Sequence, residues 1–402
     1  MSESMGVHVD LETLEAFDRM AVDGAASATN RLTGLTGIAT GVDASRLGVV
    51  SATELREEFE SDATVTVSIS LEGSLAGDAV LVFDRENARR LAEAFMPALP
   101  SADGYTAKHE DAVTELCSVM VSGYIDGWAE QRADPVEMSP PVVVSSPITD
   151  GRHDAPSVVA AGRDGASDYV VTQRSSIATR DGTDGEPVAS LYQFLDAPST
   201  MALLGSDDPE TEPIAPFRDV VDAGVDRLLD RARTMAAGTV DPTTSAFEIV
   251  PAERLSETVP DDEYAGVVIE LTGTPKGYVL ALTDRASTQR VANAFTPEPS
   301  TPAFERAPSS DAEALTGTVA TELGRALVGG LEDRLDAPVE ASAPQFVADM
   351  ASSIVNDAVI NASSTERFVC SFETRVDAAD GDLEWIVYTL IRPSDLPERR
   401  CD

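Results

Sequence analysis

The sequence predicts an α+β protein made of two tandem modules, each a β-sheet covered by two long amphipathic helices and each internally duplicated about a pseudo-twofold axis. Three observations carry this. The chain repeats itself at an offset of two hundred residues, both copies show the same order of helical and strand-like periodicity, and 43% of its 402 residues are hydrophobic despite a formal net charge of −41.

The repeat is clearest where FDRENARRLAEAFMP (83–97) faces TDRASTQRVANAFTP (283–297). Asp84, Arg85, Arg90, Ala92, Ala94, Phe95 and Pro97 recur as Asp284, Arg285, Arg290, Ala292, Ala294, Phe295 and Pro297. The same offset pairs VVSATEL (49–55) with IVPAERL (249–255), Phe17 with Phe217, Gly24 with Gly224 and Gly77 with Gly277. Fixed-offset similarity of this kind marks stacked or tandem units. An acidic, proline-interrupted stretch containing SDDPETEP separates the copies. The modules are therefore expected at 1–197 and 215–402, joined by a linker at 198–214.

In the first copy, apolar residues at three- and four-residue spacing predict a helix over Leu11–Leu35, with Gly34 near its end. Strands are expected near 45–52, 64–70 and 77–83, the middle one alternating as TVTVSIS, with a turn in Gly73–Gly77. Asp84 is placed to cap a short helix that runs through Phe95 and stops at Pro97. A second long helix spans about Ala107–Glu130, with an apolar stripe of Ala112, Leu116, Val119, Met120, Gly123, Tyr124 and Gly127. Strands near 141–147, 156–162, 168–174 and 187–195 complete the module. The sheet is either mixed or antiparallel.

Seventy acidic residues stand against 29 basic ones, and lysine occurs only at Lys108 and Lys276. Such charge strains a compact fold at moderate ionic strength but is screened to about 3 Å in molar salt. With an apolar fraction that can build cores, the acid reads as a halophilic surface rather than as disorder. It argues against nucleic acid or an anionic membrane as partner. No run reaches the length of a membrane span and the start lacks a signal-peptide pattern, so a soluble cytoplasmic protein without membrane insertion is expected. Cys117, Cys370 and Cys401 form no CxxC pair, and His8, His109 and His153 are dispersed. Neither a metal site nor a cofactor is expected, and no nucleotide or nucleophile motif is present. Tyr124 and Trp128 read as filling of a helix–sheet interface, the segment around Gly24–Ala28 as close helix packing, and Arg19 as surface.

These elements and strings resemble the CheC/CheX/FliY family of chemotaxis phosphatases. The opening LETLEAFDRMAVDGAASATNRLTG is similar to the family's first helix, with Leu11, Leu14, Ala25, Ala26 and Ala28 in register, and VVSATEL and IVPAERL resemble the strand and turn that follow it. The resemblance implies CheY as substrate, its aspartyl phosphate being hydrolysed by a water that an Asn orients while a Glu one turn away engages the regulator. It also implies CheD, and in archaea CheF, as partners. Such catalysis is mainly positioning and electrostatics.

The family pattern S/D-x3-E-x2-N, with a proline about twenty-three residues on, falls on Asp111, Glu115 and Ser118, followed by Pro141. Serine replaces the Asn; it can hold a water but lacks the amide's separate donor and acceptor. Glu115, Ser118 and Asp111 are thus the catalytic candidates, and Pro141 and Ser122 the partner-binding ones. In the first helix Ala16 and Arg19 occupy the Glu and Asn positions; in the second copy's first helix Pro216 and Asp219 do. Its second helix aligns either as Ser309, Glu313 and Thr316 or as Thr318 and Thr321 followed by Pro344. The acidic stripe is equally what a solvated helix face looks like. Three readings remain: a CheY-P phosphatase with an incomplete motif, a degenerate adaptor without that activity, or an unrelated acidic interaction protein.

Overall fold

A computed structural model describes residues 11–51, 55, 58–59, 61, 63–73, 76–99, 104–129, 136–145, 169–180, 187–195, 215–236, 239–259, 262–295, 310–335, 338–362, 368–378 and 383–392. It divides into two compact units, one within Asp10–Thr211 and one within Glu212–Asp402. The expected linker at 198–214 and the strand expected near 156–162 fall wholly or mostly outside the described residues.

The N-terminal unit runs α1 (Leu11–Thr36), β1 (Thr40–Ser51), β2 (Thr64–Gly73), β3 (Gly77–Asp84), α2 (Arg85–Phe95), α3 (Ala107–Ala129), β4 (Val136–Met138), β5 (Val142–Ser145), β6 (Tyr169–Thr179) and β7 (Pro187–Leu195). Helix α1 continues past Gly34 and stops at Gly37, whose φ of 73° supplies the left-handed residue that a β-carbon disfavours. The Gly37 N–H donates to the Thr33 carbonyl at 2.8 Å. Asp84 caps α2 by accepting the Asn87 N–H at 2.8 Å. Such a cap contributes about 1 kcal/mol.

Strand order in this unit is β1-β6-β7-β3-β2, with β4 and β5 both on the far side of β2. Every described pairing is antiparallel. The alternation in TVTVSIS is realised: Val65, Val67 and Ile69 lie opposite Phe83, Leu81 and Ala79, and all six are buried. That face carries α1 and α3, and Gln193 of β7, level with Ala79, accepts the Tyr124 hydroxyl of α3 at 3.0 Å. The opposite face is also covered, by Leu55 and Phe59, which pack on Val80, Val82, Val170, Tyr192 and Phe194.

The C-terminal unit runs α4 (Ala215–Met235), β8 (Val240–Pro251), a 3-10 turn (Ala252–Thr258), β9 (Glu263–Leu271), β10 (Gly277–Asp284), α5 (Thr288–Ala294), α6 (Asp311–Leu335), β11 (Gln345–Met350), α7 (Ala351–Ala362), β12 (Phe368–Ala378) and β13 (Leu383–Ile391). Its order is β8-β12-β13-β10-β9-β11, again antiparallel throughout the described pairings. The order maps onto itself when β8–β10 exchanges with β11–β13. Helix α7, unforeseen in the sequence, lays Ile354, Val355, Ala358 and Val359 on Tyr278, Leu280, Leu282 and Tyr388, across the sheet from α6. Among the described residues no helix is long and apolar enough to cross a membrane.

Candidate functional site

Helix α3 crosses α1 through two glycines. A β-carbon on Gly127 would stand 2.7 Å from the Gly24 Cα and 2.9 Å from the Asp23 carbonyl oxygen, and one on Gly24 would stand 2.8 Å from the Tyr124 carbonyl oxygen. Only residues without a side chain allow this approach, which is why the stretch around Gly24 is small. Tyr124 and Trp128 close the crossing with their rings edge to face, centroids 4.8 Å apart. Both are buried, as are Leu116, Cys117, Met120 and Val121. Burial pushes the Cys117 thiol far above the thiolate range, so it is unsuited to be a nucleophile.

With one face of α3 fixed, the other is determined. Asp111, Glu115, Ser118 and Ser122 follow at intervals of four, three and four and therefore share one stripe. Asp111 and Glu115 are exposed, while Ser118 and Ser122 are half-buried. The structure thus brings four of the five candidate residues onto one surface. It assigns Ser122 a structural partner as well: its Oγ accepts from the Arg31 guanidinium of α1 at 3.0 Å, and the same guanidinium pairs with Asp126 one turn further on. Pro141 lies elsewhere, between β4 and β5 at the sheet margin. There Ser139 exchanges hydrogen bonds with Ser70 of β2, N to O at 2.9 Å and Oγ from N at 2.9 Å. Ala16 is half-buried and Arg19 exposed on α1.

The start of α3 is held by a residue that spacing alone did not mark. His109 is fully buried, and its Nδ1 faces the Thr106 N–H at 3.2 Å and the Thr106 hydroxyl at 2.6 Å. The backbone donor makes Nδ1 the acceptor, which places the ring proton on Nε2, 3.6 Å from the Glu93 carboxylate of α2. Arg89 holds that carboxylate at 2.7 Å. His109→Ala opens a cavity and frees the first turn, so it is expected to cost about 2–3 kcal/mol. Denaturant unfolding in molar KCl measures this, and Glu93→Gln, which keeps the packing, should cost less.

In the C-terminal unit the corresponding crossing fixes a register that the sequence left open. Gly224 meets the Leu327 carbonyl and the Leu331 side chain as Gly24 meets those of Tyr124 and Trp128, and Gly330 lies against the Gly224 Cα as Gly127 lies against Gly24. Residue 127 of α3 thus corresponds to 330 of α6, a shift of three from the offset of two hundred. Carried along the helix, it sets Thr318 opposite Glu115, Thr321 opposite Ser118 and Pro344 opposite Pro141. Ser342, two residues before Pro344, binds Glu270 as Ser139 binds Ser70. Thr321 is fully buried and its hydroxyl donates to the Gly317 carbonyl at 2.7 Å. Thr318 donates to Ala314 at 2.8 Å. In the other register, Glu313 and Thr316 are both buried and Ser309 lies outside the described residues. Neither register offers solvent a carboxylate and a hydroxyl one turn apart. Pro216 and Asp219 fall on α4, whose side chains there are not among those described.

No protein-family model matches the chain. It is 26% identical over 208 residues to CheC1 of Halobacterium salinarum (strain ATCC 29341 / DSM 671 / R1), whose name assigns it to the CheY-P phosphatases; the match spans 50% of this chain and 100% of that protein. FliY of Thermotoga maritima is 17% identical, covering 49% of this chain and 96% of its own, with a TM-score of 0.35. A chain of the CheX–CheY–BeF3–Mg2+ complex from Borrelia burgdorferi is 13% identical, covering 43% and 95%, with a TM-score of 0.28. The repeated strings and opening helix of this sequence, together with its match along the full length of CheC1, make the chain a relative of the CheC/CheX/FliY chemotaxis phosphatase family.

Proposed function

We propose that the chain is a CheC-type chemotaxis protein that acts on phosphorylated CheY through α3 of its N-terminal unit, promoting hydrolysis of the aspartyl phosphate. In this reading Glu115 grips the regulator, Ser118 holds the attacking water and Asp111 extends the contact. Water attacks phosphorus in line, the bond to the aspartyl oxygen breaks, and inorganic phosphate and a free carboxylate leave. No covalent intermediate on this chain is needed, so its residues contribute positioning. The observation that carries the reading is the exposure of Glu115 one turn from Ser118 on a helix whose other face is locked.

The two units are in this reading tandem copies, 1–197 and 215–402, joined by the acidic linker. Three matches support it. The strand orders correspond, with β4 and β5 together taking the edge position of β11. Each first strand carries a one-residue bulge, at Asp43 in β1 and at Thr243 in β8, two hundred residues apart. Asp84 and Asp284 cap the turns after β3 and β10.

Two observations favour an adaptor as the second reading: a serine stands where an amide would orient water, and α6 buries its equivalent. An adaptor would bind CheD or CheF without hydrolysis. The test is decay of acid-labile phosphate on CheY in molar KCl with the purified full chain. Faster decay is the expected result. Unchanged decay would remove the enzyme, and retention of CheD or CheF by the same preparation would then establish the adaptor.

A further inference from the structure

The stripe on α3 presents a problem of charge. Asp111, Glu115 and Asp126 are all acidic, and the chain as a whole carries −41. A phosphorylated aspartate brings close to two further negative charges. In molar salt, attraction beyond about 3 Å is screened, so compensation must come from a cation in direct contact. Arg31 is an arginine whose guanidinium reaches this stripe.

Its placement suits that task. The Arg31 stem lies along Gly123, where a β-carbon would stand 2.6 Å from its Cδ and 2.9 Å from its Nε. The side chain is therefore stretched across the groove between α1 and α3 instead of being free to wander. The head sits beside Ser122, about 6 Å of helix rise from Ser118. It remains 36% exposed. Its contacts to Ser122 and Asp126 engage two of five N–H donors, and the planar fork matches phosphoryl oxygens. Its acidic partner lies at the surface, the Asp126 side chain being 61% exposed.

Resting on the phosphatase reading, we infer that Arg31 is the residue by which this face reads the phosphorylated state of its regulator, with Asp126 occupying the guanidinium until a phosphoryl oxygen replaces it. The exchange swaps one anion for another at the guanidinium. Asp126 turns out to water, and Ser122 keeps its hydrogen bond.

The test measures binding of the full chain, in molar KCl, to CheY with and without beryllofluoride, a phosphoryl mimic. Arg31→Ala is expected to weaken binding of the loaded form about tenfold and to leave the unloaded form unchanged. Arg31→Lys, which keeps the charge without the fork, should fall between. Asp126→Asn separates recognition from a helix clamp: it breaks the ion pair but frees the guanidinium, so loaded CheY should bind as well as or better than to wild type. Equal loss in Arg31→Ala and Asp126→Asn, in step with thermal stability, would reduce Arg31 to a clamp and overturn the inference. So would loaded-form affinity that ignores Arg31. Phosphate release, measured separately, tests the hydrolytic reading alone.

Discussion

Replacing Glu115 with alanine is expected to slow CheY-P dephosphorylation by about 100-fold, the scale of losing a positioning contact, while stability changes by no more than about 0.5 kcal/mol, as at other exposed sites. The two readouts separate because Glu115 lies on the solvent side of α3 while Leu116 and Cys117 anchor the helix from the other side. A fall in rate accompanied by a fall in unfolding midpoint would mean the helix had moved. Thr318→Ala, at the corresponding position of α6, should leave the rate at the wild-type value. Ser118→Asn sharpens the reading further: the amide restores a donor and an acceptor to the stripe, and the rate should rise. A wild-type rate in Glu115→Ala would remove α3 from the chemistry even if the hydrolysis were real.

The largest effect on stability is expected at the helix crossing. Gly127→Val would drive side-chain atoms into the Gly24 Cα and the Asp23 carbonyl, both backbone and unable to rotate away. The helices must separate, and with them the packing of Tyr124 and Trp128 on the sheet. A loss of at least about 3 kcal/mol is expected. Gly34→Ala supplies the contrast, because nothing lies within 4 Å of a β-carbon there. In the last turns of α1 that change should stabilise by about 0.5–1 kcal/mol, through lower entropy of the unfolded chain and better helix propensity. Denaturant midpoints in molar KCl measure both, with the slope unchanged. Equal effects of the two substitutions would mean that the helices are not in close contact at the crossing.

Much of the fold was legible because local chemistry decides it. Asp84 reads as a cap, TVTVSIS as an alternating strand and Pro97 as a stop, and each acts within a few residues of its own position. Two features were not settled by local chemistry. Helix α7 packs on the sheet face away from the long helices, and its run ASSIVNDAVINA is short enough to pass for strand or loop until that face is seen to need covering. The register of α6 stayed open between two alternatives because the strong matches end at Pro297, and only the contact of Gly330 with Gly224 selects the one with Thr318, Thr321 and Pro344.

For the candidate site, spacing placed Asp111, Glu115, Ser118 and Ser122 on one stripe, a consequence of helix geometry alone. Spacing could not reveal that Arg31, ninety-one residues before Ser122, would cross the groove to it. Nor could it show that Thr321 would lie under the surface. Both are tertiary facts, settled by which glycines meet.

Strand β13 reads LEWIVYTLI, is buried at nearly every position, and has Glu384 as its one charged residue. It runs between β10 and β12 beneath covered faces. Nine residues of that kind, set loose in an unfolded chain, are a template for intermolecular β-pairing. In dilute salt the chain's charge would hold such copies apart, but the molar salt that relieves the folded state also removes that repulsion. Protection against aggregation therefore falls to the integrity of the layers themselves, and opening the C-terminal unit becomes a step toward precipitation rather than a reversible excursion.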